Sequence, residues 1–277
     1  MRILPLQPTT TNNTNFRQKS TFSNADFYVR IEGYQKRKVW VNIIKHTADI
    51  AVAQILDFKS NFEAVLQSIV SGVQMANSSV NNTPLKKHTG ILRAERKGWM
   101  HGSEWDGFSL VTKYDTSGKY LPYKDRFDKI AEEPLTNPYD NIGLTEIVKK
   151  ENWSYMRHGN SKFVNNALDK VGEIYNDLHK NFIQKNPTNN NLPEINEKIA
   201  EIRWILAHST PWERGSDSIA NVFIRSLYKA MGIKSFPLKE GISLDLEAYC
   251  TNLDKYKKSF ASYFDNEPEI VGLSHIV

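Results

Sequence analysis

The sequence is poor in cysteine: Cys250 is the only one in 277 residues. A lone thiol closes no disulfide within the chain, so the fold works in a reducing compartment or does not depend on oxidation. Cys250 stands at helical spacing from Leu246 and reads as core rather than nucleophile. Long apolar runs are missing too, since no window approaches the roughly 18 consecutive apolar residues of a membrane span. No membrane partner is expected. The opening residues MRILPLQPTTTNN lack the apolar centre of roughly 7–15 residues that a Sec signal needs. Export would take another route.

Charge of one sign is scarce. The chain carries 36 Lys and Arg against 31 Asp and Glu, a formal +5, and its densest basic patches, YQKRK and DKYKK, are short. The basic stripe, the zinc spacing and the interleaved aromatic-basic motif of nucleic-acid binders are all lacking, so nucleic acid is not an expected partner. His46, His88, His158 and His179 show no paired ligand spacing, and no metal is expected. There is no Walker loop, Rossmann glycine fingerprint or GxSxG elbow.

What is present is an ordinary globular composition, 40% hydrophobic and 24% charged, with six Trp for filling a core or a pocket. Residues 1–25, rich in Thr, Asn, Ser and Gln, read as a disordered leader. Residues 26–145 read as a mixed α/β part. Phe27, Val29 and Ile31, then Val39, Val41 and Ile43, alternate as in two strands around EGYQKRK. Ile50 to Val73 turns to helical spacing with a break near DFKSN. Ile91–Leu92 and Phe108–Tyr114 are β-prone, and the stretch to LTNPYDNIGLT is turn-rich.

Residues 146–277 read as a helical part. Val164 to Ile183 forms one apolar stripe, and Ile195, Ile199, Ile202 and Leu206 form a second behind Pro193 and Glu194. Ile219, Phe223, Leu227 and Met231 form a third that stops at Gly232. LDLEAYCTNLDKYKKSFASYF reads as a final helix. The fold class is α+β, with a predominantly helical C-terminal half.

Between the second and third of these helices lies HSTPWERGSDS. Gly215 permits a positive φ or the close approach of a ligand, and Ser216, Asp217 and Ser218 suit a helix N-terminus. Unpaired N–H groups and the helix dipole there can hold a phosphate. Arg214 can add a charge-assisted fork, Trp212 can stack on a base, and His208 can act as a base. A plain packing corner, with Trp212 as plug and Glu213 and Arg214 in water, fits the same residues.

TPWERGSDS within this helix–loop–helix resembles the HPFxxGNGR motif of Fic-type, or fido, proteins. Pro211 and Gly215 match, Trp212 takes the aromatic place and Ser216 that of the Asn. The family's catalytic His falls on Thr210 and its anion-binding Arg on Ser218. The resemblance covers about residues 198–232, and it fits the degenerate fido-like helical core of AvrB-type effectors of plant pathogens best.

It implies a secreted effector or toxin that transfers a nucleotide-derived group onto a target host protein in the host cytosol. The donor would be ATP or a related nucleotide. His208 or Glu213 would supply the base, and Trp212, Arg214, Gly215, Ser216 and Ser218 the donor site. A second resemblance, HGS at His101-Gly102-Ser103, is to the NAD-binding motif of ADP-ribosyltransferases; it implies NAD as the alternative donor, with His101 and Gly102 holding it. A non-catalytic binding module is the third reading.

The leader's apolar content cannot offset an ordering cost of about 1–2 kcal/mol per backbone residue. Removal of residues 1–25 should therefore leave the melting temperature nearly unchanged. A large drop in a thermal scan would mark the segment as docked.

Overall fold

The computed structural model describes residues 38–57, 60–79, 87–93, 98–100, 103–106, 109–114, 118–150 and 153–275. The expected strand at Val39, Val41 and Ile43 is overturned: these residues lie in helix α1, Lys38–Leu56. The alternation is real but local. The longer register of Trp40, Ile44, Thr47, Ala48, Ala51 and Ile55 has helical spacing and is the face that is buried, while Val39 is 61% exposed. The partner strand expected at Phe27–Ile31 lies outside the described residues.

The break expected near DFKSN separates α1 from α2, Phe62–Ser78, where Asn61 caps the first turn by accepting from the Ala64 N–H at 2.9 Å.

An antiparallel sheet follows. It comprises β1 (Gly98–Met100), β2 (Ser103–Asp106), β3 (Ser109–Tyr114), β4 (Glu146–Lys150) and β5 (Trp153–Arg157), in the order β1-β2-β3-β5-β4. β3 fulfils the β-prone reading of 108–114. The turn-rich reading of the next stretch missed helix α3, Lys124–Glu132, which anchors through buried Phe127. The β4–β5 hairpin lies in the part read as helical, residues 146–277, and corrects that reading at its N-terminal end. Pro122 and Pro134 bound α3 rather than forbid it.

The helical part forms as its stripes dictate: α4 (Val164–Leu178), α5 (Leu192–Ser209) and α6 (Ser216–Ala230), with Gly232 at φ 68° behind α6. The final helix is two helices, α7 (Leu244–Tyr249) and α8 (Leu253–Ser259). Asn252 turns extended between them, and its Oδ1 accepts from the Thr136 N–H at 3.1 Å. A single continuous helix would forgo that contact. Two-residue strands β6 (Ile233–Lys234) and β7 (Glu269–Ile270) pair beside α6.

α5 and α6 fill the centre. Twelve of the 18 residues of α5 and twelve of the 15 of α6 are buried, so neither has a fully solvated face. α1 and α2 pack on α6, while α4, α7 and α8 pack on α5. The buried apolar cluster runs without a gap from Trp40 to Phe264 and crosses the boundary expected at residue 145.

α1 and α2 meet where Gly72 faces Thr47; a Cβ at Gly72 would lie 2.7 Å from the Thr47 Cβ. Thr47 is branched and pinned by its Oγ1 donating to the Ile43 carbonyl at 2.8 Å, so it cannot swing aside. Gly72→Ala should therefore destabilise by about 1–3 kcal/mol, exceeding the helix-propensity gain of about 1 kcal/mol. Adding Thr47→Ala should recover much of the loss in urea denaturation. An unchanged midpoint in Gly72→Ala would refute the close approach.

Candidate functional site

The α5–α6 loop is held at both ends by left-handed residues. Thr210, at φ 40°, closes α5 by donating its N–H to Leu206 at 3.1 Å and its hydroxyl to the Ala207 carbonyl at 2.8 Å. Gly215, at φ 87°, opens α6. Between them the chain runs beside residues 89–93. Arg93 N–H donates to Pro211 at 2.9 Å, Glu213 N–H to Ile91 at 2.8 Å, and Gly90 N–H to Arg214 at 3.1 Å. Ser216 Oγ lies 3.0 Å from both the amide and the carbonyl of Trp212 and ties the loop across its base.

This pairing engages several of the residues expected at a donor site. Trp212 is 2% exposed and plugs the core rather than offering a stacking face. Ser218 is buried, and Ser216 is engaged within the loop. A Cβ on Gly215 would meet Thr89 Cγ2 at 2.9 Å, so its glycine serves the approach of the neighbouring strap. Arg214 alone of the expected donor residues is both partly exposed and charged; burial lowers its pKa and Glu213 opposes that. His101 and Gly102 lie outside the described residues.

The two expected bases have different surroundings. His208 is fully buried; its Nδ1 accepts from the Thr145 N–H at 3.0 Å and its Nε2 donates to the Ala248 carbonyl at 3.1 Å. Burial drives its pKa down to about 3. With both nitrogens engaged and no access to solvent, His208 is a neutral post between α5, α7 and the start of β4, not an exchangeable base. Glu213 is also buried, but its Oε2 sits 2.6 Å from Nδ1 of His88, whose side chain is 22% exposed. The carboxylate thus orients an imidazole that reaches the surface.

A polar centre that the sequence did not announce lies around the ends of α5, α6 and α7. Arg203, fully buried, donates its Nε to Asn221 Oδ1 at 2.9 Å and one terminal nitrogen to Asp217 in the first turn of α6. Its Nη1 is buried without a hydrogen-bond partner. Burial opposes its charge, yet Asp217, Tyr256 and Asp245 hold its pKa above the ordinary arginine value.

His158 faces three hydroxyls: Thr112 at 3.1 Å, Thr145 at 3.3 Å and Thr210 at 3.2 Å. Burial, with the Arg93 charge beside it, lowers its pKa to about 3. Arg93 bridges the carbonyls of Gly159 and Ser209, and burial pulls its own pKa down to about 10. Tyr249 packs tilted against His158 and edge-on against His208, with ring centroids 5.9 and 5.6 Å away, and Asp245 acts on His158, Tyr249 and Arg203. The partly exposed rim is Thr210, Arg214, Asp217 and Asp245.

Arg203 and Asp245 are absent from the sequence reading, and His158 enters it as a histidine without metal-ligand spacing. Arg203 sits on the apolar stripe of α5 directly before Trp204, and a charge inside an otherwise buried stripe is the signal that would have found it. His88 was weighed only as a metal ligand, and its pairing with Glu213 spans 125 residues.

Both buried imidazoles tie stability to acid. Each is neutral in the fold and binds a proton when unfolded, so the unfolded state holds more protons between the ordinary value of 6.5 and about 3. Stability should fall as pH drops through that window, by up to about 1.4 kcal/mol per pH unit for each histidine. His208→Gln keeps an acceptor and a donor but does not titrate, so its denaturation midpoint should fall less between pH 7 and pH 5. An identical acid slope in the variant would show that His208 titrates normally.

Among curated proteins, none matches the chain. The avirulence protein family AvrB_AvrC matches residues 124–267, from α3 through α8, which is 144 of the 277 residues. That stretch holds Arg203, His158, Glu213 and the whole α5–α6 loop, and the chain belongs to this family of avirulence proteins, bacterial effectors delivered to host cells.

Proposed function

We propose that this effector transfers a nucleotide-derived group onto a host protein, with its donor phosphates at the partly exposed rim of the polar centre, drawn there by the field of the buried Arg203 behind it. The observation that carries the reading is the buried Arg203 guanidinium at the first turn of α6, with Nη1 unpartnered. A desolvated cation with an unused donor at a helix N-terminus favours an anionic group. Arg214 at the rim adds a second cation. Asp217 and Asp245 offset part of this charge, so the site favours a ligand that meets the arginines and leaves the carboxylates aside. The resemblance of TPWERGSDS to the Fic-type motif points the same way.

In such a transfer the acceptor hydroxyl bonds to the donor's phosphorus or sugar carbon, the bond to the leaving group breaks (an anionic phosphate for ATP, UTP or a nucleotide sugar, neutral nicotinamide for NAD), and the hydroxyl proton must be taken up. His88 is the acceptor for that proton in this reading. Glu213, at 2.6 Å, orients the ring and stabilises the imidazolium that forms. This replaces the role first expected of His208 and gives Glu213 an indirect one.

Intact-mass measurement of candidate host proteins incubated with the effector and ATP, UTP, NAD or a nucleotide sugar tests the reading, because each donor leaves its own mass addition. One donor should label a target. His88→Ala and Glu213→Gln should lower turnover more than affinity. Arg214→Ala should weaken donor binding by about 1.5–3 kcal/mol, the range for hydrogen bonds to charged groups. No donor binding by calorimetry and no mass addition on any target would overturn it.

A further inference from the structure

A cleft of about 750 Å³ opens between α3 and β4. Apolar side chains, Ile130 and Leu135 on one side and Leu144 and Val148 on the other, line it, and all four are half-buried. The strand side is lined by consecutive residues, Leu144 through Lys149. Successive side chains of a strand point to opposite faces, so a cleft over one face would touch every second residue. A cleft that touches each in turn runs along the strand's edge.

Among the described residues that edge is the free one. β5 takes the other edge of β4 in register from Glu146↔Arg157 to Lys150↔Trp153, and β4 is the last strand of the sheet among the described residues. An open strand edge offers a row of N–H and C=O groups, and native proteins commonly block such edges with charge. Here the blocking charge is drawn aside: Lys149 Nζ lies 2.9 Å from Asp128 of α3.

The cleft also leads to the polar centre. Thr145, at its end, donates its N–H to His208 Nδ1 at 3.0 Å and its hydroxyl to the His208 carbonyl at 3.0 Å, and it faces His158.

We propose that the free edge of β4 binds an extended segment of a host protein as an added strand, with apolar side chains at alternate positions seated between α3 and β4. Backbone hydrogen bonds supply the affinity, and the pockets at Ile130, Leu135, Leu144 and Val148 supply the selectivity. A segment on this edge is in register with the strand whose root touches His208 and His158. The acceptor residue would follow the bound segment toward the centre. That the segment belongs to the modified protein rests on the proposed function; that the edge binds an extended peptide does not.

The test uses the full chain without donor and a fluorescein-labelled library of peptides about seven residues long, with Val, Ile or Leu at alternate positions. Anisotropy should identify a binder, and N-methylation of its residues one at a time should abolish binding at every second position only. Ile130→Glu, on the half-exposed face of α3, should weaken the same peptide by about tenfold or more. Its circular dichroism should match wild type.

If no library member binds more tightly than about 1 mM, the proposal fails. It also fails if methylation shows no period of two or if Ile130→Glu binds as wild type. A concentration-dependent dimer lost in Ile130→Glu would assign the edge to a second copy of the chain and overturn it as well. Peptide binding without any mass addition would leave this edge standing and remove only the transfer reading.

Discussion

A positive charge fixed in the dry centre of the molecule is the constraint on which the rest depends. Arg203 lies on α5 with no exposed surface, and its guanidinium is held by Asn221 and Asp217 of α6. Only the guanidinium end of this pair is buried, the Asp217 carboxylate being 38% exposed, and loss of Asp217 would leave the desolvated charge without its counter-ion. The pair therefore locks the relative rotation of α5 and α6. It also locks the loop between them, because Asp217 stands in the first turn of α6, one residue beyond Ser216, which ties that turn back to Trp212. An apolar contact of equal area would hold the helices together without specifying their register.

The neighbouring histidines show the same economy of polar groups. His208 satisfies one nitrogen with the Thr145 amide and the other with the Ala248 carbonyl. His158 gathers the hydroxyls of β3, of the residue before β4, and of the loop. Neutral imidazole is suited to this because it donates and accepts at once, so it can join elements that each present one unpaired backbone or hydroxyl group. Through these two rings the sheet is fixed to the helical core near its centre. That fixation sets the position of β4's root, and with it the direction in which the cleft beside α3 points.

What the sequence revealed depended on the range of the signal. The helices of the C-terminal half were legible because their stripes repeat over several turns, and Gly232 and Pro193 marked ends by local backbone rules. Val39, Val41 and Ile43 misled because five residues of alternation fit a strand as well as one edge of a helix. The break of the last helix at Asn252 follows from a bond to Thr136 that lies 116 residues away in sequence. The site divided in the same way. Glu213 and Arg214 stood out by their place beside a glycine, whereas His88, His158 and Arg203 join them only through contacts between distant segments. His208 was the most visible histidine and is the least available, since visibility came from its place at a helix end and availability is set by burial.

The packing corner is what the structure shows of HSTPWERGSDS, and it does not conflict with the proposed donor site. Residues 89–93 take up the loop's backbone groups at Pro211, Glu213 and Arg214, which is what a corner requires. Once those groups are engaged, the loop's chemistry is confined to side chains. Trp212 and Ser216 are spent on packing and closure, and Glu213 and Arg214, adjacent in sequence, are left with different tasks. Glu213 turns to His88 on the strap, and Arg214, partly exposed, acts by its charge on His158 of the polar centre. A loop pinned in this way loses little conformational freedom when a ligand arrives, so rigid packing favours a reactive arrangement. The corner is therefore the means by which two neighbouring side chains are held apart and aimed.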